Sequence, residues 1–329
     1  MPRSRSARVE EVEARLRLRL TQGVYRAGDR FPSAREVAAH FAISYQTAHR
    51  ILAGLDGEGL LERRLKSGTF VPGGKRIWDG AHLFFSERAR REGSFGARLL
   101  EKLTRRLARD GVHFKISWGD ATKIKRDFFP VAWENPTVIA ECIRAHHPAL
   151  LLNDRPAPGL SATYLDCVAV DDFSGGASAA QLLTRRLGEK SPLAVLGGPQ
   201  GDGRSQARVG GFLSLAPQSA VFAAQSWFHE AGFELASAVL GSGAHGVFCA
   251  NDRLAQGIFD WCRENAQSPP VLVGFDDAPI AETLGLTTIA IPWDELVGGA
   301  GEILKRRLNG DAGAARQILI TPRPILREL

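Results

Sequence analysis

No apolar run in this 329-residue chain approaches membrane-spanning length. The opening Met-Pro-Arg-Ser-Arg-Ser-Ala-Arg is basic but has no apolar stretch behind it, unlike a secretory signal, so cytoplasmic residence is the expectation. Cysteine is scarce: Cys142, Cys167, Cys249 and Cys262 show no Cys-x-x-Cys spacing, and Cys167 and Cys249 sit inside apolar runs. That pattern fits buried free thiols in a reducing compartment rather than disulfides or metal. His146-His147 has no further ligand at helical spacing, and it ends a helix before Pro148, where histidine suits the dipole. The glycine-rich run from Gly197 to Gly203 lacks both Gly-Lys-Ser/Thr and Gly-x-Gly-x-x-Gly, so it reads as a loop and not as a nucleotide cradle. No catalytic residue, metal or cofactor is therefore expected.

The larger part of the chain also lacks any excess of one charge. Residues 76–329 hold 28 basic and 28 acidic side chains, whereas residues 1–75 hold fourteen Lys or Arg against eight acids, so the whole net charge of +6 lies in that short segment. Confined there, it makes a phosphate-binding footprint and leaves the rest of the molecule with no need to touch nucleic acid.

The same segment carries the pattern of a DNA reader. Val9, Val12, Leu16 and Leu20 have helical spacing, predicting a first helix from about Arg8 to Gln22. Ser33 with Glu36 forms a capping box that starts a second, and Ala48, Ile51, Leu52 and Leu55 put an apolar stripe along a third. Tyr45, Gln46, Thr47, His49 and Arg50 are left facing outward on its first turns, where side chains that donate, accept and stack can read base edges in a major groove. Leu60 to Arg64 and Thr69 to Val71 should pair as a hairpin across Lys66-Ser67-Gly68, whose glycine supplies the left-handed turn. A basic hairpin beside a recognition helix is a wing.

These residues resemble the GntR family of bacterial transcription regulators: Gly23-Val24-Tyr25-Arg26-Ala27-Gly28, Phe31-Pro32-Ser33-Ala34-Arg35, Ile43-Ser44 and Gly68-Thr69-Phe70-Val71 match its pattern over nearly all of residues 8–72. The resemblance implies that Arg35 contacts phosphate or base, Thr47 backbone or base, and Lys66, Ser67 and Gly68 the minor-groove side. Ser44, Tyr45, Gln46, His49 and Arg50 complete the DNA-binding set. Tyr45 and His49 stand where the family usually carries Arg, so the operator sequence does not transfer. The region that follows is too short for the aminotransferase that some GntR-like proteins carry.

After Val71, Pro72-Gly73-Gly74-Lys75 is breaker-rich, and the expected division is a winged-helix domain at 1–73, a linker at 74–79 and a second domain at 80–329. From Ala81 onward, apolar runs at 81–85, 112–117, 149–152, 168–170, 193–196, 247–250 and 271–275 alternate with helical stretches. Near-continuous apolar strands of this kind indicate parallel sheets covered on both faces, here two doubly wound subdomains with a cleft between them. Ligands in such folds bind outside the carboxyl ends of the strands. Ser86, Asn153, Asn251-Asp252 and Asp276-Asp277 each follow a strand end, although Asn and Asp at such places also commonly cap the next helix. With Arg208 and a stacking Trp227, they suit a polyhydroxylated small molecule.

This region resembles the sensor domain of the LacI/GalR family, which shares the type I periplasmic-binding-protein fold. The resemblance rests on Val168 to Asp172 with Gly175-Gly176, Arg208 to Phe212, Phe248 to Asp252, Val273 to Asp277 and Leu286 to Ile289. It implies that Arg208 and Asp276 grip ligand hydroxyls, Asn251 and Asn153 add hydrogen bonds, Trp227 stacks and Ser86 contributes at the rim. A GntR-like head on a LacI-like sensor is similar to the arabinose-repressor architecture. Two stretches depart from the pattern. Only fourteen residues separate Phe212 from Trp227, too few for the usual helix, loop and strand, and between Ser117 and Ala149 the expected strand-helix unit is hard to place around the Pro-interrupted Asp127 to Trp133. A trimmed cleft is the expectation. The reading is a non-enzymatic homodimeric repressor that binds operator DNA, away from membranes, gated by a sugar or sugar derivative. The alternative is a DNA-binding protein whose C-terminal domain only dimerises or meets another protein.

Overall fold

A computed structural model describes residues 5–21, 24–25, 28–64, 67–72, 78–119, 124, 127–155, 164–311 and 313–327. Lys66, and the greater part of the expected linker at 74–79, lie outside the described residues. Among the described residues no helix is long and apolar enough to cross a membrane. The chain divides into two compact units, residues 1–169 with 294–318 and residues 170–293 with 319–329.

The first unit begins with α1 (Arg5–Thr21), β1 (Arg30–Phe31), α2 (Ala34–Phe41), α3 (Tyr45–Gly57), β2 (Glu62–Arg64) and β3 (Gly68–Phe70). Val12, Leu16 and Leu20 of α1 pack with Val37, Ala48, Ile51, Leu52 and Leu55, the stripes that the periodicity predicts. Ser33 and Glu36 close the capping box reciprocally, with the Ser33 amide donating to Glu36 Oε2 at 2.7 Å. The hairpin pairs Arg64 with Gly68, which has φ +120°, and Ser67 N–H donates back to the Arg64 carbonyl at 3.0 Å. One strand escaped the sequence reading: β1 adds to the far edge of β3, Phe31 opposite Thr69, and anchors the wing to the entry of α2. Arg17 of α1 pairs with Glu58 beyond α3 and with Glu13 one turn back, tying α1 to the end of the recognition helix.

Next come β4 (Gly80–Phe85), α4 (Phe95–Arg109), β5 (Phe114–Trp118), β6 (Phe128–Trp133), α5 (Pro136–Ala145), β7 (Ala149–Leu152) and β8 (Leu165–Val170). The strand-helix unit that is hard to place in the sequence is present as β6 and α5. Pro130 does not break it: β6 pairs with β4 along its length, while the β7 ladder begins one residue later, at Val131 with Leu150, and proline is tolerated at a ladder's end. Leu18 of α1 packs against the core of Phe84, Ala132, Val138 and Leu151, which places the winged helix in the same compact unit as this sheet.

The second unit runs through α6 (Asp172–Leu187), β9 (Leu193–Gly197), α7 (Gly203–Leu215), β10 (Ala220–Ala223), α8 (His229–Gly241), β11 (Gly246–Cys249), α9 (Asp252–Glu264), β12 (Val271–Asp276), α10 (Pro279–Thr283) and β13 (Thr287–Ala290). The fourteen residues after Phe212 suffice after all, because α7 ends at Leu215 and β10 is only four residues long. The chain then gives α11 (Trp293–Leu308) and β14 (Gln317–Ile320) to the first unit's layers and β15 (Arg323–Ile325) to the second sheet. The two six-stranded sheets have orders β14-β8-β7-β6-β4-β5 and β10-β9-β11-β12-β13-β15. Every described pair in the second sheet is parallel except β13 with β15. Strands β4, β6, β7, β8, β9 and β11 are buried along their whole length, as both-face coverage by helices requires. All four cysteines are free and buried, and burial pushes the Cys142 and Cys167 thiols up to about 12.

Candidate functional site

Two surfaces gather the residues singled out in the sequence. On the winged helix, Ser44 caps α3 by accepting the Thr47 N–H at 3.1 Å, and the two hydroxyls bond each other at 2.8 Å. This cap fixes where the helix starts, and so which side chains of the first turn point outward. Tyr45 is 53% exposed, and Gln46 and Arg50 are also exposed, while Ala48 between them is fully buried. A groove of about 690 Å³ runs between helix and wing, lined among others by Arg35 of α2, Tyr45 of α3, Arg63 and Arg64 of β2 and Gly68 of the turn. Arg63 and Arg64 were not among the expected DNA-binding residues. Strand alternation would bury one of two consecutive residues, but on this edge strand both stay exposed. Arg64 lies over the Phe70 ring at 4.7 Å and Arg63 Nη2 donates to His49 Nε2 at 2.9 Å.

In the second unit four of the expected effector residues form one polar cluster. Arg208 on α7 is 3% exposed; its Nε donates to Asp172 at 2.7 Å, and its Nη1 donates to the Ala250 carbonyl at 2.6 Å and to Asp276 at 3.1 Å. Burial disfavours the guanidinium's charge, yet Asp172 and Asp276 outweigh it and raise the Arg208 pKa. Its carbon also lies 3.6 Å from the Phe275 ring centroid and 5.6 Å from that of Trp227. Trp227 is 8% exposed and belongs to the core; its indole N–H donates to Asp202 at 3.0 Å, and its carbonyl accepts from Asn251 Nδ2 at 2.9 Å. Asn251 also caps α9 by accepting the Leu254 N–H at 2.8 Å, so both ends of its amide are engaged. Asp276 sits at the end of β12 with φ +97°. Ser86 and Asn153 lie in the other unit, Ser86 capping a short 3-10 turn and Asn153 buried at φ +49° after β7.

Two carboxylates of this cluster, Asp172 and Asp202, were missed as site residues, and Asp252, noted beside Asn251 at a strand end, was given no role. Each stands at a helix start, which disguises it as an ordinary cap. Burial would raise Asp202, but Arg204, the Trp227 N–H and the Ser205 amide hold it at about 2. Asp252 goes the other way. It is fully buried, and desolvation with the neighbouring Asp276 lifts it to about 8 against the hydrogen bonds from Thr288 and the Ala278 N–H. A folded-state value above the unfolded one means that the stability this group adds is complete below about pH 4 and is lost as pH rises toward 8. Asparagine imitates the protonated acid, its oxygen accepting from Ala278 and its amide donating to the Thr288 hydroxyl. Asp252→Asn is thus expected to flatten the fall of the urea midpoint between pH 5 and 8; an unchanged slope would show that Asp252 does not titrate there.

With the geometry in place, likeness to known proteins becomes informative. Residues 8–71 match the family model of bacterial regulatory proteins, gntR family. The N-terminal domain is a GntR-type winged helix. Within that GntR-type domain, 62 residues are 42% identical to the histidine utilization repressor of Klebsiella aerogenes, a match covering 19% of this chain; the chain spans about a quarter of that relative's length. Residues 191–328 match the periplasmic binding protein-like domain. Solved structures agree on the fold. A LacI family transcriptional regulator from Enterococcus faecalis with bound ribose superposes with a TM-score of 0.63 at 21% identity, over 75% of this chain and 97% of that one. A LacI transcriptional regulator from a Rhodococcus species gives 0.61 at 20% identity, over 75% and 96%. The regulator CelR in complex with cellobiose gives 0.65 at 17%, over 91% and 99%. At such identities the likeness establishes a type I periplasmic-binding-protein fold behind the GntR-type head.

Proposed function

We propose that this protein is a cytoplasmic, homodimeric transcription repressor of carbohydrate-related genes whose operator affinity is gated by a small polyhydroxylated effector. The observation that carries the reading is the groove between α3 and the wing, which presents Arg35, Tyr45, Arg63 and Arg64 on the one segment that holds all the net positive charge. Ser44, Gln46, Thr47, His49, Arg50, Ser67 and Gly68, with Lys66, belong to the same proposed interface. Effector contacts are assigned to Arg208, Trp227, Asn251 and Asp276, Asn153 and Ser86 are retained as further candidate effector residues, and the division into head, linker and sensor at 1–73, 74–79 and 80–329 is part of the proposal. Support for a sugar comes from the acceptor carboxylates, donor guanidinium and indole gathered in one cluster, and from the ribose and cellobiose bound by regulators of the same fold.

A specific observation favours a second reading, in which the C-terminal domain only dimerises or binds a protein: Arg208 already has three protein partners. A thermal-shift screen of sugars and nucleosides separates the two, since a ligand at a hundred times its dissociation constant adds about 2.7 kcal/mol of stability. For the DNA half, Arg35→Ala is expected to weaken binding to all duplexes evenly and to lower the salt slope by about 1. A change in base preference with an unaltered slope would move Arg35 from phosphate to base.

A further inference from the structure

We propose that His49 and Arg63 act as one composite reading group, in which the wing's guanidinium locks the recognition helix's imidazole as a hydrogen-bond donor so that the pair selects guanine. The inference rests on the DNA-binding reading above and adds the chemistry of one contact to it.

A guanidinium carries only N–H donors and keeps its proton. The 2.9 Å bond between Arg63 Nη2 and His49 Nε2 therefore makes Nε2 the acceptor, and the ring hydrogen resides on Nδ1. An exposed imidazole left alone exchanges between two tautomers and can meet a donor or an acceptor; the bond removes one of those states. What the pair has left to offer a base is the Nδ1–H and the remaining guanidinium N–H groups, with no acceptor among them. Guanine is the base whose major-groove edge offers two adjacent acceptors, N7 and O6, whereas adenine pairs its acceptor with a donor and cytosine offers a donor.

Both halves of the pair are held from behind. The Arg63 amide donates to Asp56 Oδ1 at 3.1 Å, fixing β2 against the last turn of α3, and Arg63 sits opposite Thr69 in the wing. His49 lies one turn along α3 from Tyr45, with ring centroids 6.0 Å apart. Arg64, the next residue, is committed elsewhere, to Glu62 at 3.2 Å and the Phe70 ring, which makes it the natural control.

The test selects bound duplexes from a random library with the full-length protein, His49→Ala, Arg63→Ala, the double variant, His49→Gln and Arg64→Ala. Each of the two single alanine variants is expected to lose preference for guanine at the same operator position, by about fivefold to a hundredfold, and the double variant to lose no more than either. His49→Gln keeps the preference, since its side-chain oxygen accepts from Arg63 while its amide donates outward. Arg64→Ala, which removes another cation from the same groove, weakens binding to every duplex alike and leaves the guanine preference at that position in place. Nitrogen-15 spectra of the imidazole give a second readout: Nε2 is unprotonated in the parent and becomes tautomerically mixed in Arg63→Ala. Preferences lost at different positions, independent effects in the double variant, or a proton found on Nε2 would each overturn the proposal while leaving DNA binding standing. Enrichment of no duplex by the parent protein would instead bring down the DNA-binding reading, and the proposal with it.

Discussion

Arg208→Ala should lower the unfolding free energy of the second unit by about 3–5 kcal/mol, the usual cost of removing one partner from a buried ion pair. Solvent screens this pair little, because the Arg208 side chain is only 4% exposed and Asp172 8%. Truncation strands two carboxylates and the Ala250 carbonyl at once, and water has little access to replace the lost donors. Lysine should not rescue it. A single ammonium cannot reproduce the fork by which Nε and Nη1 reach Asp172, Asp276 and the Ala250 carbonyl from one plane. Urea unfolding followed by circular dichroism, in parallel for parent and variant, reads the loss. A decrease below about 1 kcal/mol, the value of an exposed pair, would mean that the triad is solvated and loosely held. The same substitution is expected to abolish any effector response, so ligand affinity in this variant must be measured at a temperature where the unit is still folded.

Gly176→Ala and Gly211→Ala should each destabilise the second unit by about 1–3 kcal/mol or more, the range for overpacking a close-packed interior. Elsewhere in a helix this replacement gains up to about 1 kcal/mol, since alanine is the better helix former. Here the sign reverses because α6 and α7 cross backbone against backbone: a Cβ at Gly176 would sit 1.9 Å from the Arg208 carbonyl oxygen, and one at Gly211 would sit 1.9 Å from that of Phe173. Backbone cannot swing aside as a flexible side chain can. The helices must part, and Arg208, borne on α7, moves away from Asp172, borne on α6. Gly210, next to Gly211, is the control, since its Cβ would meet only the Phe173 ring at 3.9 Å, an ordinary contact. Gly210→Ala should be neutral or stabilising. Equal effects at Gly210 and Gly211, measured as urea midpoints, would show that the crossing is not as tight as it stands here.

The parts legible from sequence were those whose cause lies within a few residues. The capping box of Ser33 and Glu36, the stripe from Ala48 to Leu55 and the Gly68 turn each depend on neighbours three or four positions away, and each forms as expected. Strands β7, β9, β11 and β12 announced themselves by unbroken apolar runs, and β4 by a run interrupted only at His82. Strand β6 hid behind Pro130, because a local rule against proline in strands says nothing about where the partner's ladder begins. Strand β10 hid behind its length, and β1 behind its two residues; neither has a pattern to detect until β9 or β3 lies beside it.

Sequence by itself determined a winged helix followed by doubly wound parallel sheets, because caps, turns and hydrophobic periods act through the nearest few residues and the charge excess needs only counting. Only the tertiary structure decided which charges meet. Asp172 and Arg208 are 36 residues apart, Arg208 and Asp276 are 68, and His49 and Arg63 are 14. None of these pairings follows from spacing along the chain. They exist because helix crossings and strand registers bring the backbones together, and once buried there, a charge is held by whatever opposite charge the fold has placed within reach.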